Sequence, residues 1–232
     1  MLQTPQPTSS SPKFKFWSDQ DPGAGRLPLF IDFWKKVTTN NFVLRIVEFG
    51  LHIHFYRFPP FLNLSSNISA SRCISLSDEI STLLDKSAVV AIPPSKDQFI
   101  SPIFDVPKKD SEERRIILNL KILNEFIIKV SFKLEGYDVI MNMIKRGDYF
   151  VSIDLKDAYL MFLMHPFYWK FLCFEFLKIR YHYKVMPFGL TSAPRIFTKV
   201  FKRVLVFLRS RGLRVSAWFD DIILVAESIP LF

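Results

Sequence analysis

Two aspartates, Asp220 and Asp221, stand side by side in the apolar run Ala217-Trp218-Phe219-Asp220-Asp221-Ile222-Ile223-Leu224-Val225. Adjacent carboxylates among large hydrophobes repel each other and resist leaving water. Two arrangements relieve that cost. The pair can sit at a polar hairpin turn, or a cation can compensate it, a divalent metal most directly. An isolated Asp-Asp favours the turn. Two further features move the balance toward a metal: Asp154 closes a second apolar strand, and the surrounding segments are basic.

With 232 residues, 49% of them hydrophobic and 23% charged, the chain can build the core of one large domain or two small ones. Its formal charge of +9 suits a polyanionic partner, nucleic acid before a membrane surface, although a generic basic surface reads the same way. Two cysteines, Cys73 and Cys173, are too few for a disulfide framework or a four-ligand zinc site. His52 and His54 read as ordinary surface residues. No apolar run approaches a membrane span and no signal pattern opens the chain, so a soluble cytoplasmic or nuclear protein is expected.

Residues 1–25, rich in Pro, Ser, Thr and Gln, read as a disordered arm. Leu29, Phe30, Phe33, Trp34 and Val37 have helical spacing, predicting a helix over 27–47. A loop over 59–71 and a short helix capped at Ser77 or Asp78, ending near Lys86, follow. Residues 101–107 and 115–120 predict a hairpin around a charged loop, then short helices over 120–127 and 139–145. A strand over 149–154 and a hairpin from 170–176 and 179–185 come next. Thr191-Ser192-Ala193-Pro194 marks the start of a helix whose apolar face runs from Ile196 to Leu208 and which Gly212 stops. A last hairpin over 213–225 carries the acid pair at its bend.

Strands followed by helices, with a final hairpin, indicate an α+β fold with helices on one face of an antiparallel sheet. There Asp154 and Asp220 can lie on neighbouring strands. Carboxylates meeting this way can hold two magnesium ions about 4 Å apart, one activating a primer 3′-hydroxyl and the other neutralising a triphosphate. By strand alternation Asp221 belongs nearer the edge of that cluster. Backbone N–H groups of the Lys156-Asp157-Ala158 turn can cradle phosphate oxygens. Tyr159 either floors a sugar pocket, rejecting a 2′-hydroxyl, or packs in the core.

Five segments together resemble the reverse transcriptases of retroelements, most closely those of DIRS-type elements, which pair the polymerase with a tyrosine recombinase. They are Val106-Pro107-Lys108-Lys109-Asp110; Arg115-Ile116-Ile117-Leu118-Asn119-Leu120-Lys121-Ile122-Leu123-Asn124; Ser152-Ile153-Asp154-Leu155-Lys156-Asp157-Ala158-Tyr159; Met186-Pro187-Phe188-Gly189-Leu190-Thr191-Ser192-Ala193-Pro194; and Trp218-Phe219-Asp220-Asp221. The resemblance implies the fingers and palm of a right-hand polymerase over 87–232, with a ferredoxin-like palm sheet and no thumb, preceded by a helical extension and linker over 26–86. It implies a metal-binding triad of Asp154, Asp220 and Asp221, with Mg²⁺ as cofactor (two ions) and Mn²⁺ able to substitute. Lys108 and Arg115 would reach the incoming triphosphate, Tyr159 would be the steric gate, and Phe188 and Gly189 would shape the nucleotide and template pocket. The implied partners are a dNTP, a primed RNA or DNA template, and the thumb and RNase H portion of the element. The family usually has Tyr where this chain has Trp218, and an aromatic where it has Arg114. The competing reading is a catalytically inactive nucleic-acid-binding remnant of a retroelement polyprotein.

Overall fold

Asn40 divides the N-terminal helical region. Its side-chain oxygen accepts the Val43 N–H at 3.2 Å, which starts a new helix where the pattern predicted one continuous helix. The computed structural model describes residues 23–65, 70–107 and 114–227. Nearly all of the expected N-terminal arm, and Lys108 with most of its charged loop, lie outside them. A 3₁₀ turn at Leu27–Phe30 leads into α1 (Ile31–Val37) and, beyond Asn40, α2 (Asn41–Phe49). α3 (Ala70–Asp85) starts well before the expected cap. Ser77 lies inside it, its hydroxyl donating to the Cys73 carbonyl at 2.8 Å as a mid-helix Ser does, rather than capping.

The remaining elements are β1 (Val89–Ile92), β2 (Ile103–Pro107), β3 (Arg114–Leu118), α4 (Lys121–Asn124), α5 (Tyr137–Met143), β4 (Tyr149–Asp154), β5 (Cys173–Phe176), β6 (Ile179–Tyr183), α6 (Ala193–Arg209), β7 (Arg214–Trp218) and β8 (Asp221–Ala226). Helices and antiparallel strands are mixed, as expected. The strands form three small sheets ordered β1-β6-β5, β2-β3 and β4-β8-β7. β1 was not anticipated, because four residues are too short to show a period. No helix among the described residues is long and apolar enough to cross a membrane.

Two cores hold these pieces. The larger gathers residues from Ala24 to Val200, including Phe99, Phe174, Leu172 and Met186. The smaller, built from Leu205, Val215, Ala217 and Ile222, lies between α6 and the β4-β8-β7 sheet. α6 serves both, burying Ile196, Phe197 and Val200 in one and Leu205 in the other. Ser192 at its N-cap has helical torsions and makes no side-chain cap bond, so no hydroxyl closes this end. Lys199, on the charged side of α6, lies 3.8 Å from the Phe42 ring centroid.

Ion pairs fasten the small sheet. Arg209 grips Glu135 through two bonds of 2.8 and 2.6 Å, and Ser216 donates to the same carboxylate at 2.7 Å. Burial alone would raise the Glu135 carboxyl, but these donors hold it below the usual carboxylate range. Arg214 holds Asp148 through two 2.7 Å bonds just before β4. β4 itself is exposed along its whole length.

His54 is exposed as the surface reading expects, whereas His52 is partly buried. The His52 ring packs against His165 at a tilt of 39°, with centroids 4.4 Å apart. Burial, then the neighbouring His165, lowers its pKa.

Candidate active site

The acid pair straddles the end of a strand. β7 and β8 pair through Trp218 and Asp221, leaving Phe219-Asp220 as a two-residue hairpin loop. Phe219 has φ 54°, a left-handed conformation that costs a non-glycine residue about 1 kcal/mol or more. Because Asp220 lies in the loop, strand alternation does not relate it to Asp221. Pairing on the other side of β8 puts Asp154 of β4 opposite Asp221. The Leu155 N–H donates to the Asp220 carbonyl at 3.0 Å. Three acids from two distant segments therefore meet at one end of one sheet. All three are exposed, and no ion pair joins them to a described residue.

A cleft of about 900 Å³ opens beside them. Asp154 and Asp220 line it together with Lys156, Asp157, Ala158, Tyr159, Arg115 and Phe188. Asp221 and Gly189 are not among its lining residues. Tyr159 is half-buried, its ring 5.3 Å from Phe188 and 5.7 Å from Phe197. Burial first, and the Asp220 charge second, push its phenol up. The Arg115 guanidinium sits 4.6 Å from the Phe188 ring centroid.

Gly189 is held next to this wall. The Asn124 side chain donates to the Gly189 carbonyl at 2.8 Å and accepts the Thr191 N–H at 3.0 Å. One amide thus clamps both sides of the 189–191 loop. Sequence reasoning assigned Asn124 no role, although its motif was recognised. It expected the helix of α3, in shorter form, but not its place at the cleft, to which α3 contributes Asp78, Glu79 and Thr82 and the residue after it, Lys86. Only the helix-ending position of Lys86 hinted at that.

Charge bookkeeping indicates what the cleft can receive. Among its described lining residues, Asp78, Glu79, Asp154, Asp157 and Asp220 outnumber Lys86, Arg115 and Lys156. A polyanion entering such a cleft requires added positive charge. Carboxylate oxygens are the donors hard divalent cations prefer, so the acids fit such ions in kind. The side chains as placed form no closed group of three ligands among the described residues.

The sequence profile of the reverse transcriptase (RNA-dependent DNA polymerase) family matches residues 106–230. The chain belongs to the reverse transcriptase family. It is 30% identical over 173 residues to the enzymatic polyprotein of Cestrum yellow leaf curling virus, covering 72% of this chain and 26% of that protein. It is 28% identical over 153 residues to the enzymatic polyprotein of figwort mosaic virus, covering 65% of this chain and 22% of the relative. A Pol polyprotein from transposon 297 of Drosophila melanogaster is 28% identical over 139 residues, covering 58% and 13% respectively. The reverse transcriptase chain thus spans about a quarter or less of the length of these relatives. At the level of the family, the activity is RNA-directed DNA polymerisation supported by divalent metal ions, generally magnesium.

Proposed function

We propose that this chain carries the fingers and palm of an RNA-directed DNA polymerase and adds nucleotides from a dNTP to a primer 3′-hydroxyl. One observation carries the reading: β-pairing brings Asp154 to Asp221 and Asp220, 66 positions beyond Asp154 (220 minus 154), at the mouth of a cleft that also holds basic side chains. Asp154, Asp220 and Asp221 would hold two Mg²⁺ ions, which supply Lewis-acid activation of the hydroxyl and neutralise the triphosphate. The chain's own residues position the reactants. Arg115, with Lys108 from the fingers loop, engages the triphosphate, and the backbone of the 156–158 turn receives its oxygens. Phe188 and Gly189 shape the pocket wall. The motif wording supports a DIRS-type element. The longer polyprotein relatives support a partnership with a thumb and RNase H portion on the primed template.

Tyr159 is the steric gate in this reading. Shortening it to Val opens the wall where a ribose 2′-hydroxyl would sit, so ribonucleotide incorporation relative to dNTP should rise on the order of a hundredfold. Competition between rUTP and dTTP on one primed template measures this.

The polymerase reading is tested with an oligo(dT)-primed poly(rA) template, dTTP and Mg²⁺ or Mn²⁺. Extension by the parent chain that is lost in Asp220→Asn supports it. Template binding without extension supports the second reading, an inactive nucleic-acid-binding remnant. That reading is favoured by Trp218, half-exposed beside the acid pair, where the family usually has Tyr.

A further inference from the structure

The turn after Asp154 is fastened from a direction that none of the motifs indicates. Asp157 has φ 55° and ψ 34°, left-handed torsions that Asp tolerates better than most residues. Its side chain does not cap the 3₁₀ helix that follows. It accepts instead from the Lys86 ammonium at 2.6 Å, across 71 positions. The two side chains are 27% and 31% exposed, so water competes with the pair less than at an open surface.

Lys86 is itself held in place. Its N–H donates to the Thr82 carbonyl at 3.1 Å, continuing α3 by one residue. Its stem lies so near Gly23 that a Cβ built there would meet the Lys86 Cγ at 2.9 Å. Ser87, with φ 57°, then turns the chain toward Ala88, whose carbonyl accepts the Lys184 N–H at 2.9 Å. A long flexible side chain is thereby aimed at one carboxylate. The turn is otherwise tied by its backbone, through Leu155 to Asp220 at one end and Leu160 to Asp157 at the other.

We propose that Lys86 is a positioning residue of the nucleotide site, resting on the polymerase reading above. It keeps the 156–158 turn in the shape that presents its backbone N–H groups to a triphosphate. It also cancels the charge of Asp157, which would otherwise add to those of Asp154 and Asp220 in the same cleft. Binding of the dNTP depends on both effects, whereas the chemical step does not pass through Lys86.

The test compares the full chain with Lys86→Ala, Lys86→Arg, Asp157→Asn and the Lys86→Ala/Asp157→Asn double variant. It reads dTTP KM and kcat, together with hydrogen exchange of the backbone amides over 155–160. Lys86→Ala should raise KM about tenfold and change kcat about twofold or less, the pattern of lost substrate binding. Exchange over 155–160 should quicken while other segments keep parent rates. Lys86→Arg should restore both, and in the Asp157→Asn background Lys86→Ala should add nothing further to KM. An unchanged KM in Lys86→Ala, or an equal effect with and without the Asp157 carboxylate, overturns the proposal. If the parent chain extends no primer, the polymerase reading fails by itself, and exchange decides the tether: unchanged rates over 155–160 overturn it and locally faster rates support it. Should Lys86→Ala not fold, Lys86→Gln, which keeps most of the stem, takes its place in the same comparisons.

Discussion

Asp154→Asn should abolish primer extension while leaving a chain at least as stable as its parent. The two effects have separate causes. Asp154 faces Asp221 directly across the β4–β8 pair, and both carboxylates are exposed without a described ion-pair partner. Like charges at directly opposed positions destabilise a sheet, so removing one should raise stability by roughly 0.5 kcal/mol, discounted for exposure. If Asp154 helps hold the cations that stabilise developing charge, its loss should slow extension by on the order of 10³-fold or more, about 4 kcal/mol of barrier. Urea denaturation and single-nucleotide extension measure the two effects on one preparation. Asp221→Asn relieves the same repulsion and should show the same small gain in stability. Activity and stability falling together in Asp154→Asn would assign this residue a structural role instead.

Gly189→Ala should be the most damaging small substitution near the cleft. Gly189 has φ 98°, a conformation that L side chains rarely adopt, and a Cβ there would overlap the Leu118 carbonyl oxygen. Neither partner gives way easily. Leu118 ends β3, paired with Ile103, and the Asn124 amide clamps the loop at Gly189 and Thr191. The expected cost is about 3 kcal/mol, combining backbone strain with overpacking against main chain. Gly147 provides the control. It has a similar φ of 91°, but a Cβ there would meet nothing within 4 Å. Gly147→Ala should cost only the torsional part, about 1 kcal/mol. Denaturation midpoints for both variants test the difference, and equal losses would remove the steric explanation.

Much of the local structure was legible in the residues. The strand over 149–154 appears with the expected bounds, and the hairpins around 108–113 and 219–220 fall where charged or acidic residues interrupt apolar runs. α6 follows its apolar face, and Gly212, with φ 84°, ends it. The failures also have physical causes. The Asn40 cap outweighed an unbroken apolar pattern, and Ser77 bonded back into a helix that packing had extended. The β5–β6 hairpin, by contrast, falls where its apolar runs predict it, although its two-residue turn uses positive φ at Leu177 and Lys178, neither a usual turn former.

The sequence by itself determined the family motifs, the alternation of strands and helices, and the presence of acids that need compensating charge. Tertiary structure alone decided that Asp154 lies opposite Asp221, that Asn124 clamps Gly189, and that Lys86 reaches Asp157. The first group depends on neighbours within a few positions, whose geometry the backbone dictates. The second joins residues about 65 or more positions apart. Such contacts exist only once the two cores have packed and fixed which strand lies beside which.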